Sequence, residues 1–297
     1  MVKLEIYRFS ILNKAKEQQV LSFYNEEEDL LETLNDFCSY IHRNIRDYTD
    51  NQGKYRTFTL DRIQKKDQEK RTITGYFESS YTGEEGKLRN RETNEKIIDI
   101  KTDDLVSKSF FYLIYVPKNL KYGYLIVERK ENHGVKTIFE NAFNNFMRAK
   151  GVSNYYLELR QAPPRYFIKN HLENGTLKEI RLFNNDSSEL SNTFGREERI
   201  FKISNSSDSH EMKRILIELF NQDETNEFTK IPFLNKGEFD EIAFVLGYNK
   251  SCKTFYIKNK EKIRSNVDVS NLVDYENNLP TLKSMIKISL ELIKSAA

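Results

Sequence analysis

Residues 109–151 read SFFYLIYVPKNLKYGYLIVERKENHGVKTIFENAFNNFMRAKG, and the change of period inside this stretch decides the fold class. SFFYLIYV and YGYLIVERK are β-prone apolar runs joined by a turn at Pro117, Lys118 and Asn119. Their near-continuous apolarity predicts central strands buried on both faces. From Val135 the period becomes helical. Val135, Ile138, Phe139, Ala142, Phe143 and Phe146 fall on one stripe, and Lys150-Gly151 supplies a C-terminal stop. Two strands followed by an amphipathic helix predict an α+β fold, in which helices pack on a mixed, mainly antiparallel sheet.

Working outward, VKLEIYRFSIL at 2–12 alternates as a strand whose register is expected to slip near Arg8. In NEEEDLLETLNDFCSYIHRNIRD, residues Leu30, Leu31, Leu34, Phe37, Cys38, Ile41 and Ile45 keep helical spacing, with Asn25 as N-cap and Glu28 completing a capping box. YRTFTLDRI and RTITGYFESS, joined by QKKDQEK, read as a hairpin. Residues 78–96 carry no period and predict a long loop or a hairpin tip. Beyond Gly151 come the strand NYYLELR, a break at Pro163-Pro164, the helix RYFIKNHLENG and the strand LKEIRLF. The helix HEMKRILIELF, the strands FDEIAFVLGYN and CKTFYIKN and a closing helix LPTLKSMIKISLELIK follow. Two lobes are expected, 1–150 and 151–297.

Twenty Phe and 17 Tyr supply apolar surface enough for a packed core. Forty-seven Lys and Arg against 45 Asp and Glu leave a formal charge of +2, so contact with a polyanion must come from local clusters. Cys38 and Cys252 stand far apart without a CxxC, which excludes a disulfide framework and a zinc-ligand spacing and points to a reducing cytoplasm. The longest apolar run, FFYLIYV, is too short for a membrane span, and MVKLEIYRFS lacks a signal-peptide core, so no membrane span is expected.

Several constellations invite a chemical reading. Glu128-x-Lys130 at a strand end, with Asp103 and Asp104 upstream, has the residue types of a Mg²⁺-dependent nuclease: carboxylates to hold the ion and a lysine to steady water or phosphate. A solvated strand exit explains the same residues more simply, so no catalytic residue is assigned and the nuclease stands as an alternative. In SSDSH at 206–210, Asp208 and Glu211 fit a helix cap better than a hydrolytic triad. His42, His133, His171 and His210 never occur at i, i+4, so no metal site is expected, and Gly134 lacks the repeated glycines of a nucleotide fingerprint, so no cofactor is expected either.

Two clusters point to phosphate. Lys130, His133 and Lys136 flank the start of the Val135 helix, whose first N–H groups are free to meet an anion. In YNKSCKTFYIKNKEKIR at 248–264, Lys250, Lys253, Lys258, Lys260, Lys262 and Arg264 are opposed only by Glu261. If that segment stays extended, Lys258, Lys260, Lys262 and Arg264 form one row able to follow a phosphate backbone, with Tyr248, Phe255 and Tyr256 stacking on bases or filling the core. A lysine-protected edge strand is the competing reading.

The succession SFFYLIYVPKNLKYG, YLIVERK, a Gly-containing loop and an amphipathic helix ending MRAKG, over residues 108–151, resembles the middle of the RexA phage-exclusion proteins and related bacterial phage-defence proteins. The resemblance implies a nucleic-acid-binding component of bacterial immunity, acting on DNA with little sequence preference, often as a homodimer, and it carries over no catalytic residue. A protein-interaction subunit whose partner covers residues 78–96 is the remaining alternative.

Overall fold

The computed structural model describes residues 1–43, 46–49, 55–62, 64–83, 85–131, 133–184, 197–204, 207–222, 239–248 and 251–296; Ile45, Asn132 and Lys250 lie outside them. The architecture is α+β with mainly antiparallel sheets. The chain divides into two compact units, Met1–Arg160 with Asn266–Lys294, and Gln161–Ser265 with Ser295–Ala297.

In the first unit the elements are β1 (Lys3–Asn13), α1 (Leu30–Arg43), β2 (Arg46–Thr49), β3 (Tyr55–Leu60), β4 (Lys65–Asp67), β5 (Thr72–Tyr81), β6 (Gly86–Arg89), β7 (Lys96–Ile100), β8 (Val106–Tyr115), β9 (Gly123–Arg129), α2 (Lys136–Ala149) and β10 (Tyr155–Gln161). The main sheet runs β10-β1-β9-β8-β5-β3-β2, which puts the two strands of the opening stretch at its centre. The unit extends past residue 150 because β10 lies beside β1, and because Lys3 and Leu4 pair with Asp268 and Val267 of the short strand β15 (Val267–Asp268). Register between β1 and β9 is unbroken from Lys3↔Arg129 to Phe9↔Gly123, so the slip expected at Arg8 does not occur. Arg8 instead stays exposed and lays its guanidinium over the Tyr122 ring, 5.4 Å from the centroid. A Cβ at Gly123 would collide with the Phe9 ring and the Tyr115 carbonyl, so only glycine lets these strands approach.

The stripes of α1 and α2 meet over one face of this sheet. Phe37 stands edge-on to Phe139 and Phe143 at 5.6 and 5.2 Å, and Phe77 stacks on Tyr112 at 3.8 Å. Each such ring removed from water contributes about 2–3 kcal/mol. The cap of α1 is not Asn25. Asp29 Oδ1 accepts the Leu31 N–H at 2.9 Å, while Asn25 Oδ1 accepts from Glu28 one turn earlier, at 2.7 Å. Asp29 also pairs with the buried guanidinium of Arg71 at 2.5 and 2.8 Å, a partner far away in sequence. On α2 the expected stripe and stop both form, with Gly151 in the left-handed region at φ 85.

The other face is covered as well: Leu4, Ile6, Phe111, Leu113 and Ile126 are buried by strand alternation. After β15 come a small hairpin, β16 (Tyr275–Glu276) and β17 (Leu279–Pro280), and the final helix, whose buried stripe is Met285, Ile288, Leu292 and Ile293. The aperiodic stretch at 78–96 resolves into the end of β5 and a separate β6–β7 hairpin, on which Leu88, Ile97 and Ile98 are exposed.

In the second unit α3 (Arg165–Asn174) and α4 (Ser207–Asn221) accompany a sheet in the order β12-β11-β13-β14, made of β11 (Thr176–Asn184), β12 (Glu197–Lys202), β13 (Glu241–Tyr248) and β14 (Ser251–Tyr256). The final helix, Leu282–Ala296, is α5. Ile180, Leu182, Leu216, Phe220, Phe244 and Phe255 form the core. Helix α4 starts at Ser207 and its Glu211 pairs with Arg214 at 2.6 Å; the capping box expected of Asp208 and Glu211 falls on a side chain outside the described ones. Among the described residues no helix is long and apolar enough to cross a membrane.

Candidate functional site

Glu128 is the penultimate residue of β9 and points away from the α1–α2 core, since Val127 points into it. It is buried, and its Oε2 accepts the Phe111 N–H at 3.2 Å while the Lys130 ammonium stands 3.8 Å away. Burial holds this carboxyl above the usual carboxylate range, against the opposing pull of Lys130 and the Phe111 N–H. Tyr76 on β5 and Ser109 on β8 lie in the same cleft; burial and the Glu128 charge push the Tyr76 phenol up. Ser109 Oγ donates to Asp61 Oδ2 at 3.0 Å, and Arg62 follows Asp61 at 3.9 Å.

The opposite wall is the β16–β17 hairpin, turned by Asn277 and Asn278, both left-handed at φ 51 and 62. Its Leu279 and Pro280, with Leu282 at the start of α5, close a cleft of about 500 Å³. Asparagine tolerates that backbone better than most residues, which is why the tight turn can be made here without glycine.

The start of α2 is organised differently from the expectation. Val135 precedes the helix without a side-chain cap, but the buried carboxylate of Glu5 comes within 3.5 Å of where a Cβ on Gly134 would sit. Glu5 in turn accepts from Arg129 and from the Tyr7 hydroxyl, each at 2.7 Å. An acidic side chain of the protein's own therefore borders the Gly134 turn that leads into the helix. His133 stacks on Tyr81 at 4.2 Å, and its backbone exchanges two hydrogen bonds with Lys130, at 3.2 and 2.8 Å. Lys136 is half-buried in the first turn. Lys130 and His133 are thus brought together as a closed turn, not as an open phosphate cradle.

The basic segment is also refolded relative to the extended row. Lys260–Lys262 is a 3-10 turn, so Lys258, Lys260, Lys262 and Arg264 do not alternate along a strand. The cause is Glu241, buried at the start of β13: its carboxylate accepts the N–H groups of Lys258 at 3.0 Å and Asn259 at 2.9 Å, and the Asn259 side-chain amide as well. Lys253 is buried, donating to the Arg264 carbonyl at 3.0 Å beneath the Phe167 ring, so it is no phosphate contact. Lys260 reaches the Gln222 carbonyl at 3.4 Å across Phe220. Phe255 belongs to the core and offers no face to a base, while the half-buried Tyr256 stacks on Phe183. Lys258, Lys262 and Arg264 remain exposed.

No protein-family model matches this chain, and no curated protein matches it at a significant level.

The nuclease constellation is not assembled. Asp103 and Asp104 are exposed after the β6–β7 hairpin, where Asp104 accepts the Lys101 N–H at 2.8 Å and Asp103 borders a shallow depression with Glu85 and Asp99. Glu128 lines a different cleft. Among the described residues no three His, Cys, Asp or Glu side chains converge as a metal-holding group. Sequence reading missed Asp61, Arg62, Tyr76 and Ser109, which approach Glu128 only through strand pairing. The Asn277-Asn278 pair, a two-residue turn signal, was the one local clue to the cleft's outer wall.

Proposed function

We propose that this chain binds nucleic acid through its phosphate backbone, with little sequence preference, as a component of bacterial phage defence working in the cytoplasm. The observation that carries the reading is the 258–264 turn, in which Lys258, Lys262 and Arg264 are exposed while Lys253 and Lys260 are drawn inward and the buried carboxylate of Glu241 fastens the backbone. Anchoring matters energetically. Cations on a fixed turn meet successive phosphates without the ordering cost that a mobile tail pays on binding. The resemblance of residues 108–151 to phage-exclusion proteins supplies the biological setting, and the duplex is the expected substrate.

The reading is tested by following duplex DNA affinity across salt concentration. Three backbone contacts predict that log affinity falls against log salt with a slope of roughly −3, and the combined substitution Lys258→Gln, Lys262→Gln, Arg264→Gln should remove most of that slope. An affinity indifferent to salt, or a triple variant that binds as the parent does, refutes it.

A further inference from the structure

The cleft around Glu128 has no part in that phosphate contact, and its chemistry differs from that of the 258–264 turn. Its cations are matched by acids: Arg62 lies 3.9 Å from Asp61, Lys130 lies 3.8 Å from Glu128, and Glu276 adds a further acid at the rim. A phosphate would gain little there. The floor groups Tyr76, Ser109 and Glu128 are polar, whereas the hairpin side, besides Glu276, Asn277 and Thr281, offers an apolar patch of Leu279, Pro280 and Leu282, with Leu279 left 69% exposed beside the opening. About 500 Å³ falls within the range of small-ligand sites, roughly 300–1,000 Å³.

An occupant that fits such a space is nearly uncharged, presents an apolar flat side to Leu279 and Pro280, and carries donors and acceptors on its edge. We infer that the Glu128 cleft receives one unpaired nucleobase bearing an exocyclic amino group, a reading that rests on nucleic-acid binding as the protein's function. Glu128 Oε2 carries the Phe111 and Lys130 contacts, which leaves Oε1 without a partner among the described residues. As a carboxylate oxygen it accepts from an exocyclic amine, so adenine and cytosine are favoured over uracil. The Tyr76 hydroxyl supplies a second polar contact on the floor. The matched charges explain why the sugar-phosphate would remain outside.

The test is calorimetric titration of the full chain with adenosine, cytidine and uridine, free nucleosides without phosphate. Adenosine and cytidine should bind saturably and at least tenfold more tightly than uridine. Glu128→Leu and, independently, Leu279→Ser should each weaken that binding about tenfold or more while leaving the salt-dependent duplex affinity unchanged. Because Leu279 is exposed, its substitution tests the wall even if Glu128→Leu does not fold. The inference is overturned if no nucleoside binds, if uridine binds equally, if Leu279→Ser binds as the parent, or if inorganic phosphate displaces the nucleoside. Failure here with duplex binding intact removes the base site alone; loss of salt-dependent duplex binding with nucleoside binding intact removes the backbone reading alone.

Discussion

Glu128 and Glu241 are both glutamates at strand ends, both buried, one in each compact unit, and their surroundings are opposite. Glu241 accepts from three backbone N–H groups, those of Ile242, Lys258 and Asn259, and from one side-chain amide, so its oxygens are taken up in shaping the turn that follows β14. Glu128 has one backbone N–H at 3.2 Å and an ammonium at 3.8 Å, and opens on a cleft. A buried acid whose lone pairs are filled by the protein is a structural device. One left partly unfilled beside an open space has capacity for a ligand.

The largest effect that would sharpen this contrast is in the second unit. Glu241→Ala strands buried donors at the 258–260 turn, and a loss of roughly 3–5 kcal/mol is expected in urea denaturation. A loss below about 1 kcal/mol would show that the turn is held by Ile257 and Ile263, and would break the comparison.

Glu128→Gln should behave otherwise, changing stability by no more than about 1 kcal/mol at neutral pH, since the amide fits the same space and needs no ionisation. The pH profile separates the two further. Because the folded protein holds the Glu128 carboxyl above its ordinary value, it binds more protons than the unfolded chain in the window between the ordinary and the raised value. Stability contributed there is present below that window and is lost as pH rises through it. The Gln variant should lack this loss, and an identical fall in parent and variant would assign it to other groups.

A smaller effect extends the contrast to an imidazole. His171 is buried, its Nδ1–H donating to the Phe167 carbonyl at 2.9 Å, while Nε2 has no partner among the described residues. Burial, aided by the Lys253 charge, pushes its pKa down. The unfolded chain therefore takes up a proton that the folded one refuses, and stability falls as pH drops below about 6.5, by up to ~1.4 kcal/mol per pH unit. Thermal melts of the parent and His171→Phe at pH 7 and 5.5 check this; an equal downshift in both clears His171 of the effect.

Much of the fold is visible in local pattern. The central strands β8 and β9, the stripe of α2 and its Gly151 stop follow from period and turn chemistry, because each depends on residues a few positions apart. Errors fall where a distant partner wins a local competition. Asp29, not Asn25, caps α1, and Asp29 is also held by Arg71 from the β4–β5 turn. The extended row at 258–264 is bent by Glu241, a residue on another strand. The cleft was legible only as Glu128 and Lys130, since Tyr76, Ser109 and Asp61 reach it through the pairing of β5 with β8 and β3.

Periodicity alone determined that this chain builds an α+β protein around a sheet whose middle strands are buried on both faces, because hydrophobic spacing reports which side of an element leaves water. Which charges are available for a partner was decided only by the tertiary structure. Lys253 and Lys262 are alike as sequence, yet one is buried under Phe167 and bonded to a carbonyl while the other is exposed. The free energy of a charge is set by what surrounds it, and for both lysines those surroundings come from segments that only folding brings near.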